Sequence, residues 1–284
     1  MAPMQLLTTI QSLFRDGFYI LRNEGILSFF STVLRIIGLN YQGISYYIIY
    51  FYKQHLHFHQ RMAEPFTVIK VNPKKIQSTA PGNIDRWKHI GEVRSGNWDQ
   101  SNKSLNELIK YRSVVDRFQN DVAWENTEIY STAIERVSEG EVYWNGCRTI
   151  NDIEQRAKSI EDLYASIQES GFKSQSELQG RSVKSIVLSG SFDRSKTDIA
   201  VAISRNGDFL FIDGNHRLAI SHVLELDEIP VRIVVRHSEW QNLREEVMNA
   251  NSKEELSERA KSNINHPDIA ETVPDSWVTE QSDE

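Results

Sequence analysis

Between residues 197 and 237 the chain changes its period several times within a short span, and this leaves few folds open. Ile199, Val201 and Ile203 alternate as a half-buried strand does. Arg205-Asn206-Gly207-Asp208 reads as a hairpin turn, since Asn-Gly tolerates the backbone that a tight return needs. Phe209 to Ile212 form the returning strand. Asp213-Gly214-Asn215-His216-Arg217 breaks that strand and opens a helix through Leu218, Ala219, Ile220, Val223 and Leu224. Ile229-Pro230 leads into a last strand, Val231 to Val235. Strand, hairpin, strand, glycine loop, helix and strand in that order imply an α+β domain.

The loop at Asp213 to Arg217 carries the chemistry. A glycine after a strand lets the chain turn tightly. The helix behind it offers unpaired N–H groups and the positive end of its dipole. Arg217 adds a fixed fork of donors suited to phosphate. His216 adds a titratable donor or base, and Asp213 is placed to hold a metal ion or orient the histidine. These five residues imply an anion pocket, most naturally for phosphate. A purely structural alternative pairs Arg217 with Asp213 in a tight turn.

Ile212-Asp213-Gly214-Asn215-His216-Arg217-Leu218-Ala219-Ile220, with Ile229-Pro230-Val231 following, resembles the ParB/sulfiredoxin superfamily, whose signature is Gly-x-x-Arg between strand and helix. Val68 to Ile76 resembles that family's opening strand and Pro-x-x-Ile step. Ser166, Ile167 and Gly171 resemble its Ser-Ile-x-x-x-Gly helix end. The resemblance implies a small mixed sheet with flanking helices. It covers residues 197–237 best and reaches back more weakly to about residue 65, with a helical insertion at about 100–150. It implies nucleotide chemistry of several kinds: partition proteins that bind DNA and hydrolyse CTP, sulfiredoxins that use ATP, small-molecule kinases, and nucleases. Asn215 stands where a sulfiredoxin has its reactive cysteine, and a carboxamide cannot be a sulfur nucleophile. A helix-turn-helix domain after the core, as a partition protein would have, is not visible either.

Three regions follow. Residues 1–60 form an apolar, amphipathic helical extension. Leu6, Leu7, Ile10, Leu13, Phe14, Phe18 and Leu21 recur at helical spacing, and Ile26 to Ile37 repeat the pattern. Arg15, Arg22 and Arg35 interrupt runs that would need about 20 apolar residues to span a bilayer. Residues 6–52 therefore suit a membrane surface, a protein partner or the chain's own core. His55, His57 and His59 share one strand face and read as surface histidines. Residues 61–240 are the ParB/sulfiredoxin-like domain with its insertion. Residues 241–284 are a charged helix and polar tail.

The 284 residues hold one cysteine, Cys147, so an internal disulfide is impossible and a reducing, cytoplasmic setting is expected, peripheral to a membrane if the N-terminal helices dock there. The net charge of -7 argues against a general nucleic-acid coat protein. Lys70, Lys74, Lys75, Arg86, Lys88 and Arg94 nonetheless form a basic stretch, either a DNA-binding face or a solvated surface.

The leading expectation is magnesium-dependent phosphoryl transfer from ATP or another nucleoside triphosphate to a small-molecule or sugar acceptor. Gly214, Asn215, His216 and Arg217 would hold the phosphates. Asp213 and His216 would be catalytic, and Asp213 would hold Mg²⁺. Trp98, Asp99, Arg156 and Glu161 are candidates for the acceptor side. The rivals are a ParB-like DNA-binding protein or nuclease, and a nucleotide-binding pseudoenzyme that acts as an interaction module.

Overall fold

The structure is a computed structural model, and it describes residues 63, 67–86, 89–100, 103–180 and 198–278. The N-terminal extension, with its apolar runs and histidines, lies outside the described residues, as do Trp87 and Lys88. Among the described residues no helix is long and apolar enough to cross a membrane.

The strands are β1 (Val68–Val71), β2 (Ser78–Thr79), β3 (Glu92–Arg94), β4 (Ile199–Ile203), β5 (Phe209–Asp213) and β6 (Ile229–His237). The helices are α1 (Ile109–Gln119), α2 (Glu128–Ser138), α3 (Ile150–Ser170), α4 (Gln175–Gln179), α5 (Asn215–Val223), α6 (Ser238–Asn249), α7 (Glu258–Ser262) and α8 (Pro267–Ala270). The fold is α+β. The sheet is mixed and runs β1-β6-β4-β5-β2. β6 is its spine: β1 pairs antiparallel with the first half of one edge, β3 pairs parallel with the second half, and β4 runs parallel along the other edge.

Period-2 alternation sorts the side chains to two faces. On one face Ile199, Val201, Ile203, Val231 and Ile233 join the main core with Ile153, Ile160, Leu218 and Trp240. On the other, Ala200, Ala202, Leu210, Val234 and Val235 meet Ile84 and Ile90. The small alanines there let Ala80, Ile84, Ile90 and Trp98 pack over the sheet.

The insertion is larger than sequence reading sets it. Four helices, α1 to α4, lie between β3 and β4. Thr149 caps α3 with a capping box to Asp152. α1 packs against α5. His222 of α5 sits at that junction: its Nε2–H donates to the Pro73 carbonyl at 2.7 Å, and its Nδ1 accepts from the Tyr111 hydroxyl at 2.6 Å.

The chain beyond β6 packs into the main core. Trp240, Leu243, Val247, Leu256, Ala260, Ile264 and Ile269 are buried. A charged helix over 253–261 is expected from sequence. The structure has a single 3₁₀ turn at Lys253–Glu255 and then α7, because Ser257 starts a new helix by accepting from the Ala260 N–H. Asp268 of α8 pins this region to the spine. It accepts from Arg236 at 2.9 and 2.6 Å and from the Trp240 indole at 3.0 Å, with Arg236 and Asp268 both buried.

Removing one partner of a buried, hydrogen-bonded ion pair leaves an uncompensated charge. Asp268→Ala should therefore cost about 3–5 kcal/mol of unfolding free energy. Asp268→Asn, which can still accept, should cost less. Urea unfolding of the two variants checks this, and equal midpoints with wild type would refute it.

Candidate active site

Gly214 sets the geometry. It joins β5 to α5 with φ 108°, in the left-handed region. A Cβ added there would stand 3.1 Å from Ile199 Cγ1 and 3.2 Å from Ile199 Cα. Both the backbone angle and the close approach require glycine. The turn aims the start of α5 at a cleft of about 380 Å³. The first N–H groups of a helix lack intrahelical partners, so those of Asn215, His216 and Arg217 serve this cleft.

The cleft is strongly cationic. Among the described residues its lining holds Arg86, Lys110, Arg156 and Arg217, against Asp213 as the one carboxylate. Four positive side chains against one negative leave an excess of three. Arg217 makes no hydrogen bond or ion pair among the described residues, and its guanidinium lies 5.9 Å from the Phe172 ring centroid. Burial pulls its pKa below the ordinary value, Asp198 opposes the shift, and Arg86 adds to it. The alternative pairing of Arg217 with Asp213 is not what the molecule does: the Asp213 carboxylate is ion-paired with Arg86.

The insertion supplies the opposite wall. Lys110 of α1 donates to Asn145 Oδ1 at 2.7 Å, and Arg156 of α3 donates to the Asn145 carbonyl at 3.2 Å. The Arg156 Nε is buried with no hydrogen-bond partner. Burial first, and Arg156 second, lower the pKa of Lys110.

His216 is neutral here. Burial, then Lys110, Arg156 and Arg217, push its pKa down to about 3. The Trp144 indole N–H donates to its Nε2 across a long 3.4 Å. With Nε2 accepting, the ring proton sits on Nδ1. Of the two roles expected from sequence, donor or base, the neutral ring has its Nδ1–H to donate in the free protein. Its partner is Trp144, not Asp213.

Gly214 to Arg217, Asp213 and Arg156 come together in the cleft. Trp98, Asp99 and Glu161 do not. Asp99 lies at the other end of the β4–β5 hairpin. It accepts from the Arg205 N–H at 2.8 Å and from the Arg205 guanidinium at 2.7 and 2.9 Å. Burial raises its pKa, but the Arg205 hydrogen bonds and the nearby His237 outweigh this and hold it low. Trp98 donates to the Arg94 carbonyl and packs beside His237. Glu161 accepts from Arg117 and from the Trp124 indole, each at 2.7 Å, and so ties α3 to α1. These three hold the fold. Sequence reading missed Lys110, Asn145 and Trp144 as site residues and placed Arg86 only in a basic stretch. Nothing local marks them, because long-range packing alone brings them to the loop.

Asp213 already pairs with Arg86, and no group of three or more His, Cys, Asp or Glu among the described residues could hold a metal ion. Compared with family models, curated proteins and solved structures, the chain matches none.

The His216 shift fixes a sign. The unfolded chain takes up this proton near 6.5 and the native one near 3. Between those values the unfolded state holds more protons, so the contribution is intact above about 6.5 and is lost as pH falls toward 3. At about 1.4 kcal/mol per pKa unit the full loss is on the order of several kcal/mol. His222 and His266 are lowered mainly by burial as well, so His216 accounts for part of the acid sensitivity. Urea midpoints from pH 4 to 7.5 should fall less steeply in His216→Gln than in wild type. Identical slopes would refute the assignment.

Proposed function

We propose that this chain is a ParB/sulfiredoxin-like nucleotide-binding enzyme that transfers a phosphoryl group from ATP or another nucleoside triphosphate to a small acceptor. One observation carries the reading: Arg86, Lys110, Arg156 and Arg217 converge with the start of α5 on one cleft whose single carboxylate is Asp213. The positive excess matches the charge of a triphosphate, not that of a neutral sugar or an amine. Such transfer is largely positioning and charge neutralisation, which these groups can supply.

In this scheme the N–H groups at Asn215 to Arg217 and the Nδ1–H of His216 hold phosphate oxygens. Arg86 turns from Asp213 to the phosphates, which frees the carboxylate. The acceptor oxygen attacks the γ-phosphorus; a hydroxyl gives its proton to Asp213, whereas an anionic oxygen attacks without a base. The bond from that phosphorus to the β–γ bridging oxygen breaks, and the nucleoside diphosphate leaves. No step is routed through a metal held by the protein.

A duplex-binding face draws less support. Arg86 belongs to the cleft and Arg94 pairs with Glu92, so the basic stretch is divided.

A thermal-shift series with ATP, ADP, CTP and GTP, each with and without magnesium, tests the reading. A nucleotide at a hundred times its Kd should stabilise the native state by about 2.7 kcal/mol. Arg217→Ala and Arg156→Ala should abolish the shift with an unchanged circular dichroism spectrum. Absence of any nucleotide shift, with salt-steep binding of duplex DNA instead, would overturn the proposal. Binding without turnover on any acceptor pool would reduce the protein to a nucleotide-dependent interaction module.

A further inference from the structure

A second cavity, of about 450 Å³, adjoins the cationic cleft. It shares Leu163 and Arg217 with that cleft. Its walls are Leu163 and Ile167 of α3, Phe172 just beyond the α3 cap, and Leu178 of α4, with Lys173 also in its lining. Leu178 is 59% exposed. A lone exposed leucine means little. Here it joins three other apolar side chains around one concavity, and the Arg217 guanidinium, which makes no ion pair or hydrogen bond among the described residues and has the buried Asp198 carboxylate in its neighbourhood, also lines it.

Hydrocarbon walls beside a cation select an amphipathic ligand. The four wall side chains offer a sugar no hydrogen bond, and the polar groups that also line the cavity are Ser166, Ser170, Lys173 and Arg217, so its apolar walls favour a hydrocarbon body. We infer that this cavity is the acceptor site, and that the acceptor is an apolar-bodied anion: a hydrocarbon or aromatic body against Leu163, Ile167, Phe172 and Leu178, with a phosphate or carboxylate head at Arg217. The inference rests on the reading of the neighbouring cleft as a nucleotide site, because Arg217 would then face both the acceptor head and the transferable phosphate. It narrows the acceptor from any small molecule or sugar to an apolar class.

Calorimetric titration of the full chain, with the cleft saturated by ADP, separates the two ideas. The probes are inorganic phosphate, hexyl phosphate and glucose 6-phosphate. Hexyl phosphate should bind at least tenfold more tightly than either of the others, a gain that about two buried methylenes suffice to give. Leu178→Asn, at an exposed position, should remove most of that gain and leave ADP affinity unchanged. Equal binding of the three probes while ADP still binds would overturn the acceptor assignment and leave the nucleotide reading standing. So would an undiminished hexyl preference in Leu178→Asn. A hexyl preference that depends on Leu178 in a protein that binds no ADP would keep the cavity as an amphiphile site and remove the nucleotide reading.

Discussion

Like charges crowded into a cleft of restricted solvent repel, and the placement of Arg86, Lys110, Arg156 and Arg217 has to withstand that repulsion. The depressed pKa of Lys110 shows its cost, through burial first and Arg156 second. Each cation is restrained by a different device. Asn145 takes Lys110 on its side-chain oxygen and Arg156 on its carbonyl. Asp213 takes Arg86. Arg217 is fixed by its position in the first turn of α5, which His222 and Tyr111 anchor from behind. A polyanion in this cleft would meet Lys110, Arg156 and Arg217 already in position and need only Arg86 to turn, so its binding would relieve repulsion with little rearrangement of α5.

The restraint at Asn145 has its own cost. Trp144 and Asn145 have φ values of 40° and 63°, and a positive φ is rare for a bulky residue such as Trp144. Packing holds the turn in place. Trp144 is fully buried and meets Trp124 and Tyr130, while the Cys147 thiol donates to the Trp144 carbonyl. Burial raises the pKa of that thiol, which favours the S–H form that holds the turn. Strain held by neighbours at a ligand-facing turn is the pattern expected of a site with a function.

The Gly214 loop was legible in the sequence because all of its information is local. A change of period, a glycine that must turn, and a helix start lie within a few residues. The hairpin at Arg205–Asp208 was legible for the same reason. The second wall was not. Lys110 and Arg156 sit on amphipathic helices where a charge ordinarily faces solvent, and only the packing of α1 and α3 beside α5 turns them inward. Asp99 misled for the converse reason: a Trp- and Gly-rich loop with a carboxylate looks like a ligand wall, yet its partner, Arg205, is 106 residues away in sequence. Glu161 likewise answers to Arg117 and Trp124, which no spacing rule connects to it.

The neutral His216 ties these strands together. Its charged form is disfavoured by burial and by three cations, and only the second cause can be reversed by a ligand. Phosphate oxygens beside Lys110, Arg156 and Arg217 would cancel much of the field that those groups exert on the ring, while the desolvation would remain. The pKa of His216 must then rise on anion binding without returning fully to its free value. Below that bound-state value, binding draws in a proton, and the imidazolium adds a donor at Nε2 at the expense of its bond from Trp144. The cationic cluster that gives the cleft its positive charge therefore adds to burial in holding the histidine neutral.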